Sequence, residues 1–163
     1  MTVPPLTSAS PEWYTPARYW MAASRVMDGI DLDPCADPDR KVDARMHYTA
    51  ADNGLVHPWY GKVFMNPPYG RMTPLFVNKL LTEWEEGRVT DAVILVKGAL
   101  ETKWFQRLSA FARCEPNHRI QFDGPNGGRG GATFASVFVY LGWLQDTFVR
   151  IFSQFGFTRG KIG

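Results

Sequence analysis

The apolar positions of this chain fall into short unbroken runs and longer amphipathic stretches, and the two kinds alternate. Val63-Phe64-Met65 is an apolar run that ends in Asn66-Pro67-Pro68-Tyr69-Gly70. Such a run reads as a buried strand, and the prolines must stop it, because they fix φ and donate no backbone hydrogen bond. Asn66 and Tyr69 are thereby expected on a stiff loop at the carboxyl end of a strand, where open α/β sheets place their ligands. Ala92–Val96 reads as a second buried strand. Before the first of these runs, Tyr19, Trp20, Ala23 and Met27 recur at helical spacing, with Thr15-Pro16 as a cap-plus-proline start and Gly29 as a stop. Between the two runs, Thr73-Pro74 repeats that start, Leu75, Phe76, Leu80 and Trp84 form an apolar helix face, and Gly87 closes it.

Ile30–Pro34 reads as a short strand running into a turn, and residues 37–62 as mostly loop, with Asp52-Asn53-Gly54 a strong turn signal. After the second strand, Thr102 is placed to cap a helix carrying Trp104, Phe105, Leu108 and Phe111. Strands are then expected at Arg113–Glu115, Ile120–Phe122 and Ser136–Leu141, with a glycine-rich loop over 124–131. Phe148, Ile151, Phe152 and Phe155 predict a last amphipathic helix that serves either the core or an interaction surface, including self-association. Alternation followed by an accumulation of strands argues an α/β chain with a mostly parallel sheet, an antiparallel end and helices on both faces. The expected organisation is a flexible arm over 1–12, one domain over 13–145 and a C-terminal helix and tail over 146–163.

Composition narrows this picture. The 163 residues are 45% hydrophobic and 14% aromatic, enough for one real core. A net charge of +2 does not by itself announce nucleic acid, so any basic surface must be local, with Lys and Arg at 40, 41, 45, 71, 129, 150, 159 and 161 as candidates. Cys35 and Cys114 form neither a metal spacing nor a disulfide framework, and His47, His57 and His118 add no zinc pattern, so no metal is expected. No signal-peptide pattern and no run of 18 apolar residues occurs, and a cytoplasmic protein is expected.

The chemistry suited to Asn66-Pro67-Pro68-Tyr69 is activation of a weakly nucleophilic amine. An exocyclic or amide nitrogen delocalises its lone pair, and two acceptors aimed at its two N–H groups draw it toward a tetrahedral form. The Asn66 side-chain oxygen and the Pro67 carbonyl fit that part, and Tyr69 offers a face on which a planar base stacks. Preorganised acceptors of this kind act through position and electrostatics. A turn after a strand explains the same four residues without any chemistry.

The motif resembles that of amino-group (N6-adenine) DNA methyltransferases, and its neighbours resemble the small phage-type, Dam-like members. The resemblance rests on Trp13-Tyr14-Thr15-Pro16, Asp31-Leu32-Asp33-Pro34-Cys35-Ala36, Asp52-Asn53-Gly54-Leu55 with Trp59, and Leu95-Val96-Lys97 with Thr102-Lys103-Trp104-Phe105. Arg119-Ile120-Gln121-Phe122 and Ala135-Ser136 complete it, so that it covers about residues 13–142. It implies a Rossmann-like methyltransferase fold, S-adenosylmethionine as cofactor and the N6 amine of a flipped adenine in DNA as substrate. By the resemblance Thr15 and Pro16 wall the cofactor pocket, Asp33, Pro34 and Ala36 lie beside the methionine portion, and Asp52 binds the cofactor adenine. Asn66, Pro67 and Pro68 with Tyr69 form the catalytic loop. The glycine-rich cofactor loop of related enzymes is replaced by Cys35-Ala36-Asp37. DNA contact is expected from residues 37–50 and 123–133, with Arg40, Lys41, Arg45, Arg71 and Arg129 on phosphates and a relaxed or short recognition site. Competing readings are a methyltransferase acting on RNA or protein glutamine, and an inactive DNA-binding relative.

Overall fold

The run Ala92–Val96 lies at the centre of strand β4 (Val89–Lys97), and each of its five residues is fully buried. A strand apolar on both faces needs cover on both, and the chain supplies it with helices on either side of one sheet. The computed structural model describes residues 14–124, 129–131 and 134–163; the expected arm over 1–12, and Trp13, lie outside the described residues. The elements in order are α1 (Ala17–Met27), β1 (Leu32–Ala36), β2 (Met46–Thr49), a 3-10 turn (Gly54–Val56), β3 (Gly61–Met65), α2 (Thr73–Glu85) and β4. They continue as α3 (Lys103–Gln106), β5 (Ala112–Pro116), β6 (Gln121–Asp123), β7 (Arg129–Gly131), β8 (Ser136–Leu141), α4 (Gln145–Phe152) and β9 (Gly156–Arg159).

The main sheet has the order β2-β1-β3-β4-β8-β5-β9, and β6 pairs with β7 in a separate two-stranded ribbon. β2, β1, β3 and β4 are mutually parallel, whereas β8, β5 and β9 each run antiparallel to the preceding neighbour. This is the mixed α/β sheet that the alternation pattern predicts. Phe64, Val93, Leu95, Phe138 and Tyr140 point to the face covered by α1 and α4. Val63, Met65, Ala92, Ile94, Val96, Val137 and Val139 point to the face covered by α2 and the α3 turn. Each buried Val, Leu, Ile, Phe or Met side chain among these contributes roughly 1.5–3 kcal/mol.

Several expectations change. Ile30–Pro34 is not a strand that turns at proline, because β1 begins at Leu32 and continues through Pro34 to Ala36. Between the pairs Asp33↔His47 and Ala36↔Thr49, β1 advances by one residue more than β2, and this bulge accommodates the missing Pro34 N–H. Residues 37–62 are mostly loop, as expected, but they also hold the 3-10 turn and β2, which the sequence did not mark. β7 and β9 were likewise not foreseen. Neither Thr15 nor Thr73 caps a helix. The cap of α1 is Pro16, without a side-chain bond, and that of α2 is Met72, whereas Thr102 does cap α3. The apolar face of α4 is not a free surface, since Phe148, Ile151 and Phe152, with Phe155 just beyond, are buried against α1 and the sheet. Among the described residues no helix is long and apolar enough to cross a membrane.

The turn that the sequence marks at Asp52-Asn53-Gly54 is tied to β1. Asn53 adopts φ 56° and accepts a hydrogen bond from the Leu55 N–H, and the Gly54 carbonyl accepts from Trp59 Nε1 at 2.8 Å. A Cβ on Gly54 would lie 2.4 Å from the Pro34 carbonyl oxygen, a backbone atom that cannot move independently of β1. Gly54→Ala is therefore expected to destabilise the fold by about 1–3 kcal/mol, read as a lower urea midpoint with an unchanged slope.

Candidate active site

After β1 the chain passes outward to β2 and then returns to the other side of β1 to form β3. The order of a parallel sheet reverses there, and the crevice outside the carboxyl ends of β1 and β3 is where such sheets bind ligands. Asp33-Pro34-Cys35-Ala36 form the last four residues of β1, and Asn66-Pro67-Pro68-Tyr69 directly follows β3. The two stretches that are thirty residues apart in sequence thus flank one crevice.

Three hydrogen bonds hold the second stretch. Asn66 Nδ2 donates to Thr15 Oγ1 at 3.0 Å, and the Tyr69 hydroxyl lies 3.4 Å from Asn66 Oδ1, a long donor contact. Thr73 Oγ1 donates to the Pro68 carbonyl at 2.6 Å, and Thr73 is itself buried at the first turn of α2. The hydroxyls that resembled helix caps are spent on the proline loop instead. With Nδ2 engaged, Oδ1 is the acceptor that Asn66 presents.

Tyr69 is 37% exposed. Burial pushes its phenol well above the ordinary range, so it remains protonated and a donor throughout the neutral range. Its ring meets Phe134 edge-on, with centroids 4.8 Å apart and planes at 72°, and Lys97 Nζ lies 5.3 Å from the Phe134 centroid. Phe134 was not singled out in the sequence, because one aromatic between a glycine-rich loop and a strand carries no periodic signal. Lys97 ends β4 opposite Ser136, which opens β8, and Ser136 Oγ is buried without a hydrogen-bond partner among the described residues.

Asp33 is buried, with 3% of its surface exposed. Its carboxyl accepts from the Cys35 N–H at 3.2 Å, and no cation pairs with it among the described residues. Burial pushes it up to about 7; the Cys35 N–H works against this and the Asp37 charge adds to it. Burial, reinforced by Asp33, likewise raises the Cys35 thiol, which is therefore no thiolate nucleophile. No helix opens after β1, so the N-terminal dipole that commonly assists a cofactor loop is lacking here. Asp52 lies on the exposed loop beyond β2. The Thr49 N–H and hydroxyl, at 2.9 and 3.1 Å, both bind its Oδ2 and hold its carboxyl below the usual range.

The basic residues divide. Arg40 lies in the loop after β1 with φ 52°, Lys41 Nζ is 5.1 Å from the Tyr14 ring centroid, and Arg71 is exposed just after the proline loop. These border the crevice. Arg45 does not: it precedes β2 at the opposite, amino-terminal edge of the parallel strands, 3.8 Å from Asp31. Arg159 is bound to the carbonyls of Ser109, Phe111 and Gly160. The Arg129 side chain lies outside the described residues. No grouping of three metal-ligating side chains occurs among the described residues.

Asp33 makes a pH dependence. Its folded-state value lies above that of an unfolded carboxyl, so the folded chain retains a proton that the unfolded chain has released, and stability falls as pH rises from about 4 to about 7. Asp33→Asn keeps an acceptor for the Cys35 N–H and removes the ionisation. The variant is expected to flatten this slope and to melt higher than the parent at pH 8, as followed by thermal unfolding across the pH range.

The family model described as DNA N-6-adenine-methyltransferase (Dam) matches residues 6–132. No curated protein matches the chain.

Proposed function

The chain belongs to the DNA N-6-adenine-methyltransferase (Dam) family, and on that premise we propose that it transfers a methyl group from S-adenosylmethionine to the N6 amine of adenine in DNA. The observation that carries this reading is Asn66 at the crevice edge, its nitrogen held by Thr15 and its oxygen presented beside Tyr69. Asn66 Oδ1 and the Pro67 carbonyl accept the two N–H groups of the target amine, which makes the nitrogen lone pair available. Tyr69 stacks on the base and Phe134 abuts its edge. The base must leave the duplex to arrive there, at a cost of a few kcal/mol.

S-adenosylmethionine supplies an electrophilic methyl group on a sulfonium centre when bound. The chain's donor set fits such a cation: Asp33 is a buried carboxyl at the β1 end with one N–H donor and no positive partner among the described residues. Pro34, Ala36 and Pro16 would line the same side, and the free Oδ1 of Asp52 would meet a polar group at the far end. Arg40, Lys41 and Arg71 would hold phosphates along the rim, and the recognition site is short or relaxed.

Asn66→Ala is expected to lower methyl transfer at least a hundredfold while leaving the affinity for S-adenosylhomocysteine unchanged in calorimetry. Labelled S-adenosylmethionine supplied with DNA, RNA and host protein identifies the acceptor, and label entering only RNA or protein refutes the reading. Tyr69→Ala is expected to weaken DNA binding about tenfold, whereas Tyr69→Phe keeps the stacking face and most of the affinity. Equal weakening in both would show that the ring is not the contact.

A further inference from the structure

The resemblance in sequence assigns Thr15 to the cofactor wall, but its hydroxyl is 3.0 Å from Asn66 Nδ2. We propose that Thr15 is a positioning residue, which holds the Asn66 amide with its oxygen toward the substrate amine. The proposal rests on the amine-methylating reading of the site and concerns what makes that site competent.

A primary amide has two ends of nearly equal size and opposite polarity. Turned over, Asn66 would oppose its own NH2 to the N–H groups of an amine, and the Pro67 carbonyl would be left to accept alone. The polarity is set by the neighbours of the amide. On one side Thr15 Oγ1 accepts from Nδ2; on the other the Tyr69 O–H points at Oδ1. The shorter Thr15 contact is the one that holds the amide, because the phenol oxygen of Tyr69 can accept as well as donate. At 3.4 Å its bond is long, and an incoming amine N–H replaces it at small cost.

Thr15 is also placed more firmly than a loop residue would be. Tyr14, directly before it, exchanges two backbone hydrogen bonds with Asp123 at 2.7 and 3.0 Å. The Tyr14 ring is buried and its hydroxyl donates to Asp39 Oδ2 at 2.8 Å. Directly after Thr15, Pro16 fixes φ at −56° and caps α1 without any side-chain bond, so the threonine hydroxyl is not drawn into the helix. An anchored ring on one side and a proline on the other leave the hydroxyl one task, which is Asn66. Preorganisation of this kind is what lets an amide act on a transition state without reorienting.

Thr15→Val removes the hydroxyl at nearly constant shape, and Thr15→Ser restores it. In steady-state kinetics with DNA and S-adenosylmethionine, Thr15→Val is expected to lower kcat about tenfold, the scale of one neutral hydrogen bond, and Thr15→Ser to recover it. Affinity for S-adenosylhomocysteine stays at the parent level in both. A valine variant that loses cofactor affinity tenfold and keeps kcat at saturation overturns the proposal in favour of a cofactor wall. A second readout needs no turnover. The side-chain amide signals of Asn66 in a 15N spectrum, identified by their loss in Asn66→Ala, are expected to move in Thr15→Val and to stay in Thr15→Ser. Unmoved signals in Thr15→Val overturn the proposal, whether or not the parent methylates DNA. A parent chain without DNA methylation but with the valine-specific shift refutes the activity and leaves the positioning role supported.

Discussion

Two successive prolines cannot continue a parallel strand, and the arrangement of the crevice depends on where they make β3 stop. Pro67 and Pro68 leave no N–H for a neighbouring strand, so the chain departs from the sheet one residue after Met65. The polar groups released there must be satisfied by something other than a ladder. Thr73 from α2 donates to the Pro68 carbonyl, and Thr15 from the segment before α1 accepts from the Asn66 side-chain amide. These two threonines lie before or at the start of helices that cover opposite faces of the sheet. The loop is therefore braced from both sides of the sheet.

The other lip of the crevice works differently. There the chain holds a carboxyl in a dry place, beside a proline bulge and without a cation, and the ionised form is disfavoured until pH reaches about 7. A positively charged ligand would relieve this. The absence of a helix after β1 sharpens this contrast, because the side chain and not a helix terminus carries the electrostatic burden of that lip.

Sequence reveals those parts whose burial is complete. β3 and β4 are apolar on both faces and announce themselves; α1, α2 and α4 show a stripe because one side of each is covered. β2, a half-exposed Met-His-Tyr-Thr edge, and β9, where Phe157 is exposed, have no such imprint. Pro34 looked like a terminus because a proline in a strand is legible only as a break, whereas a bulge in the register with β2 absorbs it. Asn66 and Tyr69 were legible from local chemistry. The bracing parts of Thr15 and Thr73 were not, since a hydroxyl beside a proline has the same spelling whether it caps a helix or braces a loop. Arg45 shows the converse: a charge near the right motif in sequence sits at the wrong end of a strand.

The placement of α4 and β9 also bears on how the molecule is made. Phe152 and Phe155 lie ring on ring against Phe138, Phe155 also meets Tyr19, and Phe148 stacks on Phe152, so the middle of the α1-side core is furnished by residues that follow all of the central strands in the chain. Until they emerge from the ribosome, α1 and one face of the central strands have an uncovered apolar surface. The parallel strands with α2 can associate earlier, because their partners are near in sequence. Birth of the protein is thus two-sided in time: the α2 side matures on the nascent chain, and the side that bears Thr15 locks only when the phenylalanine cluster arrives.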